Sequence, residues 1–291
     1  MNYRHHFHAG NFADVLKHAL LVRLVRALQR KEKGILYLDT HAGRGRYDLA
    51  AAAAGDSLAR RPEWPEGVGR LWARPQEQVA AELAEYLALV RDFDQRAGNL
   101  DGAPRFYPGS PALVQRLARP VDRLVLCELH PAECAALRAE FAALPRVSVQ
   151  AEDGYAALRA LLPPPERRAL VLIDPPFEAA DEFARLAVAL AEGLRRFPSG
   201  TFTVWYPLTA RAKVDDFLAA VRNLAPPPTL AVELEVAGAA AAIKLKGCGL
   251  LVINPPWQFE VEAGAIVRAL AALLAQAPGG GGRVDWIVPE R

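Results

Sequence analysis

The chain has 291 residues, 52% of them hydrophobic and 23% charged, an ordinary globular composition for one large α/β domain or two small ones. It contains no apolar run near the roughly 18 residues of a membrane span, and "MNYRHHFHAG" has no apolar leader segment, so neither a membrane nor an exported protein is expected. The net charge of +2 is small, but residues 1–50 hold nine Lys/Arg against four acids, an excess that suits an anionic partner.

Residues 12–31 place Val15, Leu16, Ala19, Leu20, Leu24 and Leu28 at helical spacing behind Asn11, a good N-cap type. Residues 1–10 ahead of them carry Tyr3, Arg4 and three histidines with little apolar content, and are expected to be a mobile tail that orders on a nucleic acid. Apolar runs of strand length follow at 35–39, 123–128, 146–150, 169–173 and 201–206. Helical patterns such as 131–144 and 179–196 separate the later ones, which implies parallel βαβ units in a doubly wound sheet. Runs at 229–237 and 248–253 have no helix between them and read as an antiparallel end, with a last strand at 283–288. Residues 50–108 interrupt the alternation and read as a helical insertion within a single domain spanning 1–291.

In such sheets ligands bind beyond the carboxyl ends of the strands. Four successive strand ends here deliver an acid: "DTHAGRGRY" from Asp39, "CELHP" with Glu128, "EDGY" with Asp153 and Gly154, and "LIDPPF" with Asp174. Glu128 suits a ribose diol, and Asp153 suits either an adenine amino group or a helix N-cap. The Gly43-x-Gly45 turn lets backbone approach a ligand closely. "DPPF" is more specific. Asp174 and the Pro175 carbonyl can accept the two N–H bonds of an exocyclic amino group, and Phe177 can stack on an extruded base.

A second copy, "NPPW" at 254–257, ends a later strand. Its position in the antiparallel region favours Asp174 as the catalytic acid, with Asn254 and Trp257 bordering the substrate cleft. The three cysteines show no metal-ligand spacing, and the histidines have no completing ligand, so the expectation is a metal-free protein of a reducing cytoplasm.

The set "YRHHFHAGNFADVLKH", "YLDTHAGRGRY", "YPGSP", "ELHP", "LIDPPF", "WYP" and "NPPW" resembles the bacterial 23S ribosomal RNA adenine-N6 methyltransferase family. That resemblance implies a Rossmann-like fold and S-adenosylmethionine as cofactor, held by residues matching Lys17, His18, His41, Ser110, Glu128, Asp153 and Gly154. It implies Asp174 as catalytic acid, an RNA contact at Tyr3 and 23S ribosomal RNA as partner; Pro175 and Phe177 are expected at the substrate from the motif itself, and the chain is expected to be a cytoplasmic monomer. Phe177 stands where the family usually has Tyr, which keeps stacking and loses a hydroxyl. The Pro-Pro motif alone also fits a DNA adenine-N6 or a protein glutamine-N5 methyltransferase, and the fold alone fits a non-catalytic RNA-binding module.

Overall fold

The computed structural model describes residues 5–53 and 61–290. In chain order its strands are β1 (Leu36–Asp39), β2 (Arg46–Asp48), β3 (Phe106–Pro108), β4 (Arg123–Cys127), β5 (Val147–Gln150), β6 (Ala169–Ile173), β7 (Thr201–Pro207), β8 (Thr229–Glu235), β9 (Gly247–Ile253) and β10 (Gly281–Val288). Eight of them form one sheet in the order β10-β8-β9-β7-β6-β1-β4-β5, and β2 pairs with β3 in a separate two-stranded ribbon. Strands β5, β4, β1, β6 and β7 run parallel. Strand β9 runs against β7, β8 against β9 and β10 against β8. The chain winds outward from β1 through β4 to β5, then returns to the other side of β1 at β6. The order of strands therefore reverses between β1 and β6, the place where open sheets form a crevice.

Alternation along each strand builds two cores. In β6, Leu170 and Leu172 face one layer, while Ala169, Val171 and Ile173 face the other. The first layer holds α1 (Phe12–Gln29), α4 (Ala81–Arg96), α5 (Ser110–Leu117) and α10 (Phe259–Leu274), joined by the shorter α2 (Leu49–Ala53) and α3 (Val68–Trp72). Helix α6 (Pro131–Phe141) turns Leu137 and Phe141 toward the same core. The second layer holds α7 (Gly154–Leu161), α8 (Glu182–Arg196) and α9 (Arg211–Asn223).

Helix α1 is the element that places chemistry in the core. Asn11 Oδ1 accepts the amides of Ala13 (2.9 Å) and Asp14 (3.0 Å), the N-cap expected from the residue type. Sheet, α4 and α10 surround the helix, so even Asp14, Lys17 and His18 are buried. Buried polar groups of this kind persist only when paired.

Two expectations require correction. Residues 5–10 are not a mobile tail: His5–Phe7 forms a helical turn, Phe7 and Ala9 are buried, and the Gly10 amide donates to Asp14 Oδ2 at 3.0 Å. The tail's remaining residues, Tyr3 and Arg4 included, lie outside the described residues. The second concerns "NPPW". Because β9 is antiparallel, Ile253 pairs with Phe202 and Thr229 at the beginnings of β7 and β8. Asn254 therefore sits at the opposite edge of the sheet from Asp174 and cannot border a cleft there.

Candidate active site

Asp39 ends β1, Ile173 ends β6, and the Thr40 amide donates to the Leu172 carbonyl at 3.0 Å, so the two loops at the reversal point leave the sheet side by side. Asp174 is the first residue past β6. Its Oδ2 accepts from the Lys17 ammonium at 2.5 Å, and the same ammonium lies 2.9 Å from Asp14 Oδ1. His5 Nε2 is 3.0 Å from Asp14 Oδ2, completing a chain His5–Asp14–Lys17–Asp174. Burial alone would raise the Asp14 carboxyl, but Lys17 and His5 hold it well below the usual carboxylate range. Burial alone would lower Lys17, yet Asp14 and Asp174 hold its ammonium well above its ordinary value. Lys17, expected at the tail of a cofactor, is here engaged by two carboxylates.

The neighbouring residues form a second network. Asp39 is fully buried, accepts from Tyr37 Oη and Ser110 Oγ at 2.7 Å each, and is pushed up to about 6 by burial against those two hydrogen bonds. His18 Nδ1 lies 2.8 Å from Tyr107 Oη, which lies 2.9 Å from Tyr86 Oη. Its other nitrogen, Nε2, is buried without a hydrogen-bond partner among the described residues. Burial carries His18 down to about 3 and His41 down to about 4, so both rings are neutral near pH 7. Because the folded His18 sits below its unfolded value, its stabilising contribution is complete above pH 6.5 and is lost as pH falls toward 3. The unfolding midpoint should therefore fall with pH below 6.5, and His18→Asn should flatten that slope; calorimetry across pH 4–8 checks both.

Glu128 follows β4, and its two oxygens accept the amides of Gly43 and His130 at 2.8 Å each, with burial raising its carboxyl. Gly43 (φ +62°) and Gly45 (φ +80°) take the left-handed backbone that glycine allows. Asp153 is the N-cap of α7, with Oδ1 accepting the Tyr155 amide at 2.8 Å, the capping role its residue type suits. Gly154 lies so close to β1 that a Cβ there would stand 2.0 Å from the Thr40 carbonyl oxygen. Pro175 is buried, and Phe177 (φ +50°) packs edge-on against Phe183 and Trp205, with ring centroids 4.9 and 5.7 Å apart.

Lys17, His18, His41, Ser110, Glu128, Asp153, Gly154, Asp174, Pro175 and Phe177 thus gather at one sheet edge. Reading the sequence placed Asp39 at this edge without a partner, quoted Tyr107 only within "YPGSP", and gave Asp14 no site role, although Asp14 precedes Lys17 by one helical turn. At the far edge Asn254 acts structurally: its Nδ2 donates to the Ser199 carbonyl at 3.0 Å, and its own carbonyl accepts from Thr201 Oγ1. Trp257 is 70% exposed there. Trp257→Ala should leave kcat/KM within about twofold of wild type, as surface changes away from a site usually do; steady-state turnover measures it.

Among the described residues no helix is long and apolar enough to cross a membrane, and no three His, Cys, Asp or Glu side chains cluster as metal ligands would. Residues 32–288 match the family model described as ribosomal RNA large subunit methyltransferase D, RlmJ. Relatives called ribosomal RNA large subunit methyltransferase J are 40% identical in Escherichia coli and 37% in Haemophilus influenzae, each over 100% of both chains. The crystal structure of protein LPL1258 from Legionella pneumophila superposes with a TM-score of 0.83 at 35% identity, covering 96% of this chain and 98% of that one. The doubly wound sheet is thus that of a Rossmann-like methyltransferase, and the chain belongs to the RlmJ family of ribosomal RNA large subunit methyltransferases.

Proposed function

We propose that the protein transfers a methyl group from S-adenosylmethionine to the N6 amino nitrogen of an adenine in 23S ribosomal RNA. The observation that carries this reading is Asp174 at the strand reversal point, followed by a buried Pro175 and beside acid-bearing loops. The relatives' shared name favours ribosomal RNA over the DNA and glutamine substrates that the Pro-Pro motif also fits.

The edge fits the cofactor. His18 Nε2 is an orphaned buried donor or acceptor, and the Gly154 turn presses on Thr40 where no side chain could stand. Glu128, Asp153, His41, Ser110 and Gly154 would hold the nucleoside part, and His18 and Lys17 the polar tail. When bound, S-adenosylmethionine supplies an electrophilic methyl carbon on a sulfonium centre.

The chain's own part is positioning and electrostatics. An adenine amine is a poor nucleophile because its lone pair is delocalised into the ring. Asp174 and the Pro175 carbonyl accept its two N–H bonds and favour a pyramidal nitrogen whose lone pair is no longer conjugated with the ring. After the carbon–nitrogen bond forms, the surplus amine proton leaves along the bond to Asp174. The Lys17 ammonium, fixed between Asp14 and Asp174, orients that carboxylate before substrate arrives. Phe177 supplies an apolar wall for the extruded base, with Tyr3 proposed to join it. The chain is proposed to act as a cytoplasmic monomer of one domain, residues 50–108 being its helical insertion, and to need no metal.

Tritiated methyl transfer to unmodified 23S ribosomal RNA, followed by digestion, should place the label in N6-methyladenosine at one position. Label on another atom of the base, or in protein or DNA alone, would overturn the reading. Within that reading, Glu128→Ala should weaken cofactor affinity about tenfold, since the loop amides it holds lose their partners at about 1–3 kcal/mol. Titration calorimetry with S-adenosylhomocysteine reports it.

A further inference from the structure

The ribbon of β2 and β3 has two faces of different character. Its pairs are Arg46 with Pro108, Tyr47 with Tyr107 and Asp48 with Phe106. Tyr47 and Tyr107 point inward, toward His5 at 5.0 Å between ring centroids and toward His18 at 5.6 Å, and both tyrosines are buried. The outward face carries Arg46 and Phe106, with Arg105 next along the strand. The Phe106 ring lies under two guanidinium groups, Arg105 Cζ at 5.0 Å and Arg46 Cζ at 5.8 Å from its centroid. Both arginines are exposed. Glu140 is the sole carboxylate paired with Arg46 among the described residues, at 3.4 Å, and Arg105 has no ion pair there. Among the described residues Asp48 forms no ion pair with either arginine; its Oδ1 instead caps α2 through the amides of Ala50 (2.9 Å) and Ala51 (3.2 Å).

Two like charges held over one ring at the rim of the site cost free energy unless an anion meets them. The ring is what makes them useful. Cation–π attraction restrains two long side chains that would otherwise lose rotamer freedom on binding, and guanidinium forks match phosphate oxygens. The geometry points to a two-arginine phosphate clamp, Arg46 and Arg105 over Phe106, that grips the RNA backbone beside the target adenine. This rests on the RNA reading of the site. It adds a specific binding element outside the cofactor and catalytic residues.

The test uses the full chain, a large-subunit ribosomal RNA fragment, and fluorescence anisotropy across a range of salt. Arg46→Gln and Arg105→Gln should each raise the Kd and the KM for RNA roughly tenfold, and each should lower the slope of log K against log salt by about 0.7. Cofactor affinity and kcat at saturating RNA should not move. Arg105→Lys should keep the salt slope while recovering part of the affinity. Phe106→Leu should weaken binding with the slope unchanged, because the charges remain and their restraint is lost. A double Gln variant with wild-type Kd and slope would overturn the clamp, as would a fall in kcat with KM unchanged. Wild-type methyl transfer to RNA, measured in parallel, reports separately on the underlying function. A wild-type enzyme that is inactive on RNA, with the salt slopes as stated, would retain the clamp and remove the proposed reaction.

Discussion

Asp174→Asn is expected to lower kcat by about 10²–10³-fold while leaving cofactor affinity close to wild type. The substitution keeps an oxygen that can accept one N–H bond, but removes the negative charge that polarises the amine. It also removes the partner of Lys17 without orphaning it, because Asp14 remains 2.9 Å away. The fold should therefore survive, and unfolding midpoints should stay near wild type. Single-turnover methyl transfer and calorimetry separate the two effects. Affinity for the cofactor falling in step with rate would move Asp174 from the substrate side of the site to the cofactor side.

Lys17→Met should do more damage to the fold than to any other property, and abolish turnover as well. The ammonium is the cation between two carboxylates, one of them fully buried, and breaking such a pair costs about 3–5 kcal/mol. Without it only His5 is left at 3.0 Å to oppose the burial that raises the Asp14 carboxyl, which therefore takes up a proton more readily than in wild type. The loss should consequently be largest near pH 7 and shrink as pH falls through the range where Asp14 protonates. Adding Asp14→Asn to Lys17→Met should restore much of the stability and none of the turnover, since Asp174 would still lack its orienting partner. Urea unfolding at pH 7 and pH 5, together with rate, distinguishes these outcomes. Equal stability of the single variant and wild type at pH 7 would show that Asp14 does not depend on Lys17.

The sheet was legible because its strands announce themselves locally. The run at 169–173 is a strand over the same residues, and every other apolar run read as a strand became one within two residues at each end. The four acids followed, because a strand end is a position along the chain. What could not be read is what the chain brings together from far apart. Lys17 and Asp174 are 157 residues apart, and no periodicity marks their meeting. The ribbon of Arg46–Asp48 and Phe106–Pro108 escaped because each strand is three residues long, one ends in proline, and alternation needs a longer run to show. Polar composition suggested a mobile tail, yet Phe7 and Ala9 sufficed to seat residues 5–10 against the core. The two Pro-Pro motifs differ in a property the letters do not contain, the direction in which their strands run.

The ribbon has one more consequence. A strand's side chains alternate, so a slip of one residue in its pairing would exchange its faces. Tyr107 would leave His18, and Arg46 would turn its charge inward. Three residue pairs, closed by the Gly109 amide on Gly45 and the Leu49 amide on Arg105, hold that register. The hydrogen bond that fixes a buried histidine and the charges that meet solvent are thus opposite sides of one small lattice. A slip of register would disturb both at once, although a substitution on the outer face alone need not reach the inner one.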